Sequence, residues 1–186
     1  MWPVRPALRP TRNARHSTPL PAALDNDACG DGPESFRGDP TGIAPLVAAQ
    51  AAGLSKDLVQ REFPRVAELP FDSARKMMTT VHRLGAEHIA LVKGAPEQVL
   101  ERCVHLCGTH SAFARGEAPQ LAARRAADGL RVIAFACRRF EYPPAARTSA
   151  ALEPGLEFLG LFGLIDPPRP EAANRCACAR TPESRR

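Results

Sequence analysis

Five residues between Phe71 and Gly94 define the chemistry open to this chain. Phe71 offers a flat aromatic face, Arg75, Lys76 and Lys93 offer cations, and Gly94 offers backbone that another group can approach closely. A ring that stacks a base, cations that attract phosphates and a glycine that permits close contact are the parts of a nucleotide site. Recognition, rather than bond-making, is the chemistry they serve. The sequence carries no Ser-His-Asp signature, no Walker loop and no Rossmann glycine pattern. Each group also has a plainer use, Phe71 in a core and the lysines on a solvated surface.

Paired strands would bring these groups together. Met77 to Leu84 and His88 to Val92 are β-rich runs joined by Gly85-Ala86-Glu87, which predicts a β-hairpin. The outer ends of a hairpin lie side by side, so Phe71, Arg75 and Lys76 come near Lys93 and Gly94. Upstream, Ala22 to Cys29 reads as a short helix. Gly38 to Leu54 reads as a turn and an alanine-rich helix, with Thr41 placed to cap it and Pro45 in its first turn. A further helix over Ser55 to Glu62, with Ser55 as N-cap, hands over to a strand from Arg65 to Phe71. Pro64 and Pro70 bracket that strand, which makes it peripheral. Downstream, Pro96 to Cys103 and Pro119 to Asp128 read as helices, the second closed by Gly129. Arg131 to Phe140 and Leu156 to Ile165 are apolar runs suited to strands covered on both faces, with loops over Cys107 to Gly116 and Tyr142 to Pro154. Strands linked both by hairpin and by helix imply an α+β fold with a mostly antiparallel sheet and helices flanking it.

The sequence PFDSARKMM, followed by KGAPE, closely resembles the nucleotide-binding domain of P-type cation-transporting ATPases of the calcium or sodium pump-like branch. Three further matches follow the order of that family: GDPT at Gly38 to Thr41, GLRVIAFA at Gly129 to Ala136, and GLIDPPRPEA at Gly163 to Ala172. The resemblance covers roughly residues 22–172. It implies that Phe71 stacks the adenine, that Lys76 and Lys93 line the pocket, and that Arg131 approaches the phosphates. The implied ligand is ATP, as its magnesium complex, on the cytoplasmic face of a membrane pump, where the domain presents ATP to a phosphorylatable aspartate. That aspartate sits in a DKTGT sequence which this chain does not contain, so the chain alone is expected to be catalytically inactive. Asp166 to Arg169 resemble the hinge to the phosphorylation domain. One departure touches the site itself. The family commonly reads GDPTEGAL, its glutamate helping to hold the adenine amino group, whereas here Gly42 follows Thr41 and Pro45 replaces the leucine. One lost hydrogen bond lowers nucleotide affinity by about 1 kcal/mol.

At 186 residues with a net charge of +5, the chain holds one domain of ordinary size, placed at residues 22–165. The positive charge lies in the ends, +4 over residues 1–21 and +3 over residues 169–186, which leaves the middle at −2. That distribution argues against a nucleic-acid footprint. The opening 21 residues mix proline with arginine and are expected to be a disordered tail, faintly like a transit peptide in composition. Residues 166–186 are expected to be a hinge remnant and a second such tail, dissolving into arginine, alanine and cysteine as a truncated or frame-shifted reading frame would. The apolar stretch Leu156 to Ile165 is about half the ~20 residues of a membrane helix, so no membrane contact is expected. Of six cysteines none forms a CxxC pair. Cys103, His105, Cys107 and His110 lie close in sequence, but their spacing does not suit zinc, and no metal site is expected there. Against the ATP-binding reading stand a non-catalytic interaction fragment and a pseudogene-like product without useful nucleotide affinity.

Overall fold

The computed structural model describes residues 5–6, 19–30, 35–107 and 117–165. The described elements are β1 (Arg5–Pro6), α1 (Pro19–Leu24), α2 (Pro40–Ala51), α3 (Lys56–Glu62), β2 (Arg65–Asp72), β3 (Met77–Leu84), β4 (Glu87–Gly94), α4 (Pro96–Arg102), β5 (Cys103–Leu106), α5 (Glu117–Ala127), β6 (Arg131–Phe140), α6 (Ser149–Leu152) and β7 (Leu156–Leu164). All seven strands join one sheet in the order β1-β7-β6-β4-β3-β2, with β5 pairing β7. Every pairing is antiparallel except β5 with β7. The α+β class and the mostly antiparallel sheet are therefore as the sequence implies.

The hairpin forms with β3 and β4 paired from Met77↔Gly94 to Leu84↔Glu87. Its turn is tighter than expected. Only Gly85 and Ala86 lie between the strands, and Gly85 takes a φ of 65°, as the first central residue of a type II′ turn does. Glu87 consequently opens β4. The proline-bracketed strand β2 lies at the edge of the sheet, where a missing amide costs no ladder bond.

Alternate residues of the central strands feed two cores. One face, carrying Leu91, Ile133, Phe135 and Phe162, packs under α1, α2 and α3. The other, carrying Met77, Val92, Ala134 and Ala136, packs under α4 and α5. Phe135 and Phe162 meet edge to face with ring centroids 5.2 Å apart, a favoured aromatic geometry.

Several local expectations are corrected. Helix α1 begins at Pro19, inside the stretch expected to be tail, and Arg5–Pro6 pairs with β7. Asp39, not Thr41, caps α2, its Oδ1 accepting from the Thr41 amide at 2.8 Å and the Gly42 amide at 3.1 Å. Pro40 occupies the first turn and Pro45 the helix interior, where it removes one amide from the ladder. Ser55 holds the N-cap position of α3, but its side chain makes no capping bond. The short strand β5 and the single turn α6 were both hidden in stretches without clear periodicity. The hinge-like Asp166 to Arg169 lies outside the described residues.

Candidate functional site

The turn between β2 and β3 is built by Asp72. Its Oδ1 accepts from the Ala74 amide at 2.7 Å, and its carbonyl accepts from the Lys76 amide at 2.6 Å. Lys76 takes a φ of 53°, a left-handed conformation uncommon outside glycine. Its carbonyl then accepts from the Ala95 amide at 3.0 Å, which ties this turn to the one after β4. Gly94 is required at that junction, because a Cβ there would lie 2.4 Å from the Lys76 carbonyl oxygen. The close approach inferred for Gly94 thus serves its own chain.

Phe71, Lys76, Lys93 and Gly94 are collected at one end of the sheet, and Arg131 opens β6 at the same end. Gly94 lies opposite Ala134, so Arg131 stands three residues, or about 10 Å, further along. Strand alternation places Arg131 on the face that carries Lys93 and Phe135. Phe71 is 62% exposed, which excludes the core alternative for its ring. Arg75 is not gathered with the others. Its guanidinium is paired with the buried carboxylate of Glu153 and donates to the Pro70 carbonyl at 3.0 Å. Glu153 also accepts from the Thr79 hydroxyl at 2.9 Å, on the sheet face opposite Lys93.

Sequence reasoning missed a polar cluster beneath the α1–α3 face. Asp25 is fully buried next to Thr80, whose Oγ1 lies 3.1 Å from Asp25 Oδ1. Burial pushes the Asp25 carboxyl up to about 7, against the opposing pull of Lys93 and the Thr80 hydrogen bond. Next to it, the buried Lys56 ammonium donates to the carbonyls of Asn26 and Ala28, and burial lowers its pKa. Arg65 reaches Asp27 at 2.9 Å and Glu68 at 2.7 Å. The run Asp25-Asn26-Asp27 was the available signal, but it reads as a helix end until tertiary contacts are known. Asn26 also explains the departure at Gly42. Its Nδ2 donates to the Gly42 carbonyl at 2.6 Å, and a Cβ on Gly42 would stand 2.9 Å from its Oδ1. A glutamate could enter only if Asn26 moved.

A cavity of about 230 Å³ lies elsewhere, among Leu20, Leu24, Leu84, Ile89, Cys137 and Arg139. It is apolar and sits near the hairpin turn, with Ile89 about 13 Å along β4 from Lys93. It is not the cationic end of the sheet, and the convergence of charged groups locates the candidate site better than enclosed volume does.

An α+β domain with an exposed ring and lysines at one sheet end is the arrangement found, and a family model described as P-type ATPase, cytoplasmic domain N, matches residues 22–171. The chain belongs to that family. Among similar proteins, Calcium-transporting ATPase 1 of Bacillus cereus is 41% identical over 153 residues, covering 80% of this chain and 17% of its own length. Cation-transporting ATPase pma1 of Synechocystis is 41% identical over 138 residues, covering 73% of this chain and 15% of its own. The probable cation-transporting ATPase F of Mycobacterium bovis is 33% identical over 168 residues, with shares of 87% and 19%. The chain therefore spans less than a fifth of the length of these relatives. Among the described residues, no helix is long and apolar enough to cross a membrane.

Proposed function

We propose that this domain binds ATP as its magnesium complex and, within a longer cation pump, presents it to the phosphorylatable aspartate of a neighbouring domain. The observation that carries this reading is the exposed Phe71 ring at the same sheet end as Lys76, Lys93 and Arg131. In it, Phe71 stacks the adenine, Lys93 and Lys76 attract phosphates, and Arg131 reaches the distal end of the chain of phosphates. Gly94 has no ligand contact in this scheme. It fixes the junction between two turns that carry the lysines. Arg75 acts as a structural anchor.

One stacked ring and a few solvent-screened charges, offset by the lost freedom of the ligand, leave about −4 kcal/mol, a millimolar dissociation constant. Titration followed by NMR shifts tests the assignment. Phe71→Ala should weaken adenosine, ADP and ATP by similar factors, because stacking is indifferent to phosphate number. Lys93→Ala should weaken ATP more than adenosine, and mainly at low salt, where charge attraction is least screened. A folded Phe71→Ala domain with unchanged ATP affinity would remove the adenine from that ring. Absence of any nucleotide-induced shift in the parent chain would favour the non-catalytic interaction reading instead.

A further inference from the structure

We infer that Cys107, Cys137 and Glu157 form a binding site for a thiophilic divalent cation of the zinc class. Their Sγ and carboxylate oxygen atoms all lie within 4.8 Å of one another. Three separate segments bring them there. Cys137 on β6 and Glu157 on β7 are cross-strand partners, so their side chains leave the same face of the sheet. Cys107 follows β5, and its amide donates to the Phe158 carbonyl at 2.9 Å, which extends the parallel pairing of β5 with β7 by one residue. The three ligands are therefore held by backbone pairing rather than by a loop that must first be ordered.

The donor set selects the ion. Two thiolates favour a soft or borderline cation, and one carboxylate is compatible with zinc but adds nothing for a purely soft monovalent ion. In a tetrahedral zinc site with bonds of about 2.3 Å to sulfur, two sulfur atoms stand about 3.8 Å apart. The present spacing thus needs to close by about 1 Å or less. Cys137 is buried, whereas Cys107 and Glu157 are half-buried, which gives the ion a path from solvent and leaves a fourth position for water. The hydrogen bond with Cys107 and burial hold the Cys137 thiol well above its ordinary range, and the same hydrogen bond lowers Cys107. Arg139 is the weakest of the influences on either thiol, so a bound cation would have to displace the Cys137 proton. The sequence cluster Cys103, His105, Cys107 and His110 is not this site. Cys103 is buried in the opposite core, its thiol 3.2 Å from the Val99 carbonyl, and Cys107 instead meets residues 30 and 50 positions further on.

The test uses the full chain with Cys176→Ser and Cys178→Ser, which removes two thiols separated by one residue in sequence that could themselves bind metal. Co²⁺ is titrated under reducing conditions as a zinc substitute, and the thiolate charge-transfer absorption is read. One equivalent should give a saturable band that Zn²⁺ abolishes by displacement. Cys107→Ser and Cys137→Ser should each lower the affinity by more than about tenfold, and Glu157→Gln by several-fold, while Cys29→Ser and Cys103→Ser leave it unchanged. Circular dichroism confirms folding of each variant, and Glu157→Gln, at a half-exposed position, serves if Cys137→Ser unfolds. No band, or one that survives both Cys107→Ser and Glu157→Gln, overturns the site. So does a disulfide between the two thiols that forms in air without any metal binding after its reduction. Nucleotide titration is a separate readout and is run on each variant, because Cys137 stands only two residues, about 7 Å, along β6 from Phe135, the partner of Lys93.

Discussion

Asp25, Thr80 and His82 form a buried chain whose hydrogen bonds close in two ways, with Thr80 donating to an ionised Asp25 while a protonated His82 donates to Thr80, or with Asp25 protonated and His82 neutral. His82 Nδ1 lies 2.9 Å from the Phe63 carbonyl and can only donate to it, so a neutral ring leaves Nε2 to accept from Thr80 Oγ1 at 3.0 Å. Thr80 has one proton. If it serves His82, Asp25 must be protonated and donate to Thr80, which agrees with burial raising Asp25 to about 7 and lowering His82 to about 4. The two groups pull stability in opposite directions. Asp25 keeps its proton in the fold while the unfolded chain releases it near 3.8, so its contribution is present below 3.8 and is lost as pH rises to about 7. His82 stays neutral in the fold while the unfolded ring protonates below 6.5, so its contribution is lost as pH falls from there toward 4. Asp25→Asn removes the first effect alone. It should stabilise the domain progressively more between about pH 4 and pH 7 and level off above that, by up to about 4 kcal/mol for a shift of this size. Thermal melts of the two proteins across that range decide it, and a difference that does not change with pH would mean that Asp25 is ionised throughout.

Among the elements, the edge strand β2 and the turn after it hold Phe71 and Lys76 in place, and Glu153 is what secures them. Its carboxylate is 2% exposed and is shared by Arg75, the Thr79 hydroxyl and, at 3.9 Å, Arg102. Removing one partner of a buried ion pair costs about 3–5 kcal/mol, because the remaining charge is stranded. Arg75→Ala should therefore lower the melting temperature strongly, yet leave ATP affinity unchanged at a temperature where the variant is folded. A large loss of affinity in that folded state would return Arg75 to the binding site where the sequence had put it. This residue marks the limit of what spacing can tell. The hairpin, the edge strand, β6 and α4 were legible because their signals are local: a glycine turn, bracketing prolines, apolar runs. Arg75 lies within one residue of Lys76, and only the direction of its side chain, fixed by a partner 78 positions away, separates their roles. The same holds for Cys107 with Cys137, and for Asp25 with Thr80. The strand β5 escaped because four residues with three exposed give no period to read.

At the scale of the whole domain, the two cores share their backbone, and this governs how the molecule comes apart. Along β4, Leu91 enters the α1–α3 side and Val92 the α4–α5 side; along β6, Phe135 enters the first and Ala136 the second. Neither layer can lose its strands while the other keeps them, so the sheet and both helical layers should unfold in one transition. Phe135 is the sharpest probe, being fully buried, large and central. Phe135→Ala costs about 3–5 kcal/mol from lost burial and a residual cavity. Against a total of about 5–15 kcal/mol for an ordinary domain, that is a large share. Urea unfolding should keep a single midpoint, shifted down by the same amount whether followed by far-ultraviolet or near-ultraviolet circular dichroism. Native-state hydrogen exchange gives the finer reading. Amides of Met77–Leu84 and of Val132–Cys137 should lose protection together in the variant, since they belong to both layers. If Phe135→Ala instead freed α1–α3 while α4, α5 and the strands beneath them stayed protected, the layers would be independent units. The end of the sheet that carries Lys93 would then hold its shape without the α1–α3 cover that buries Asp25.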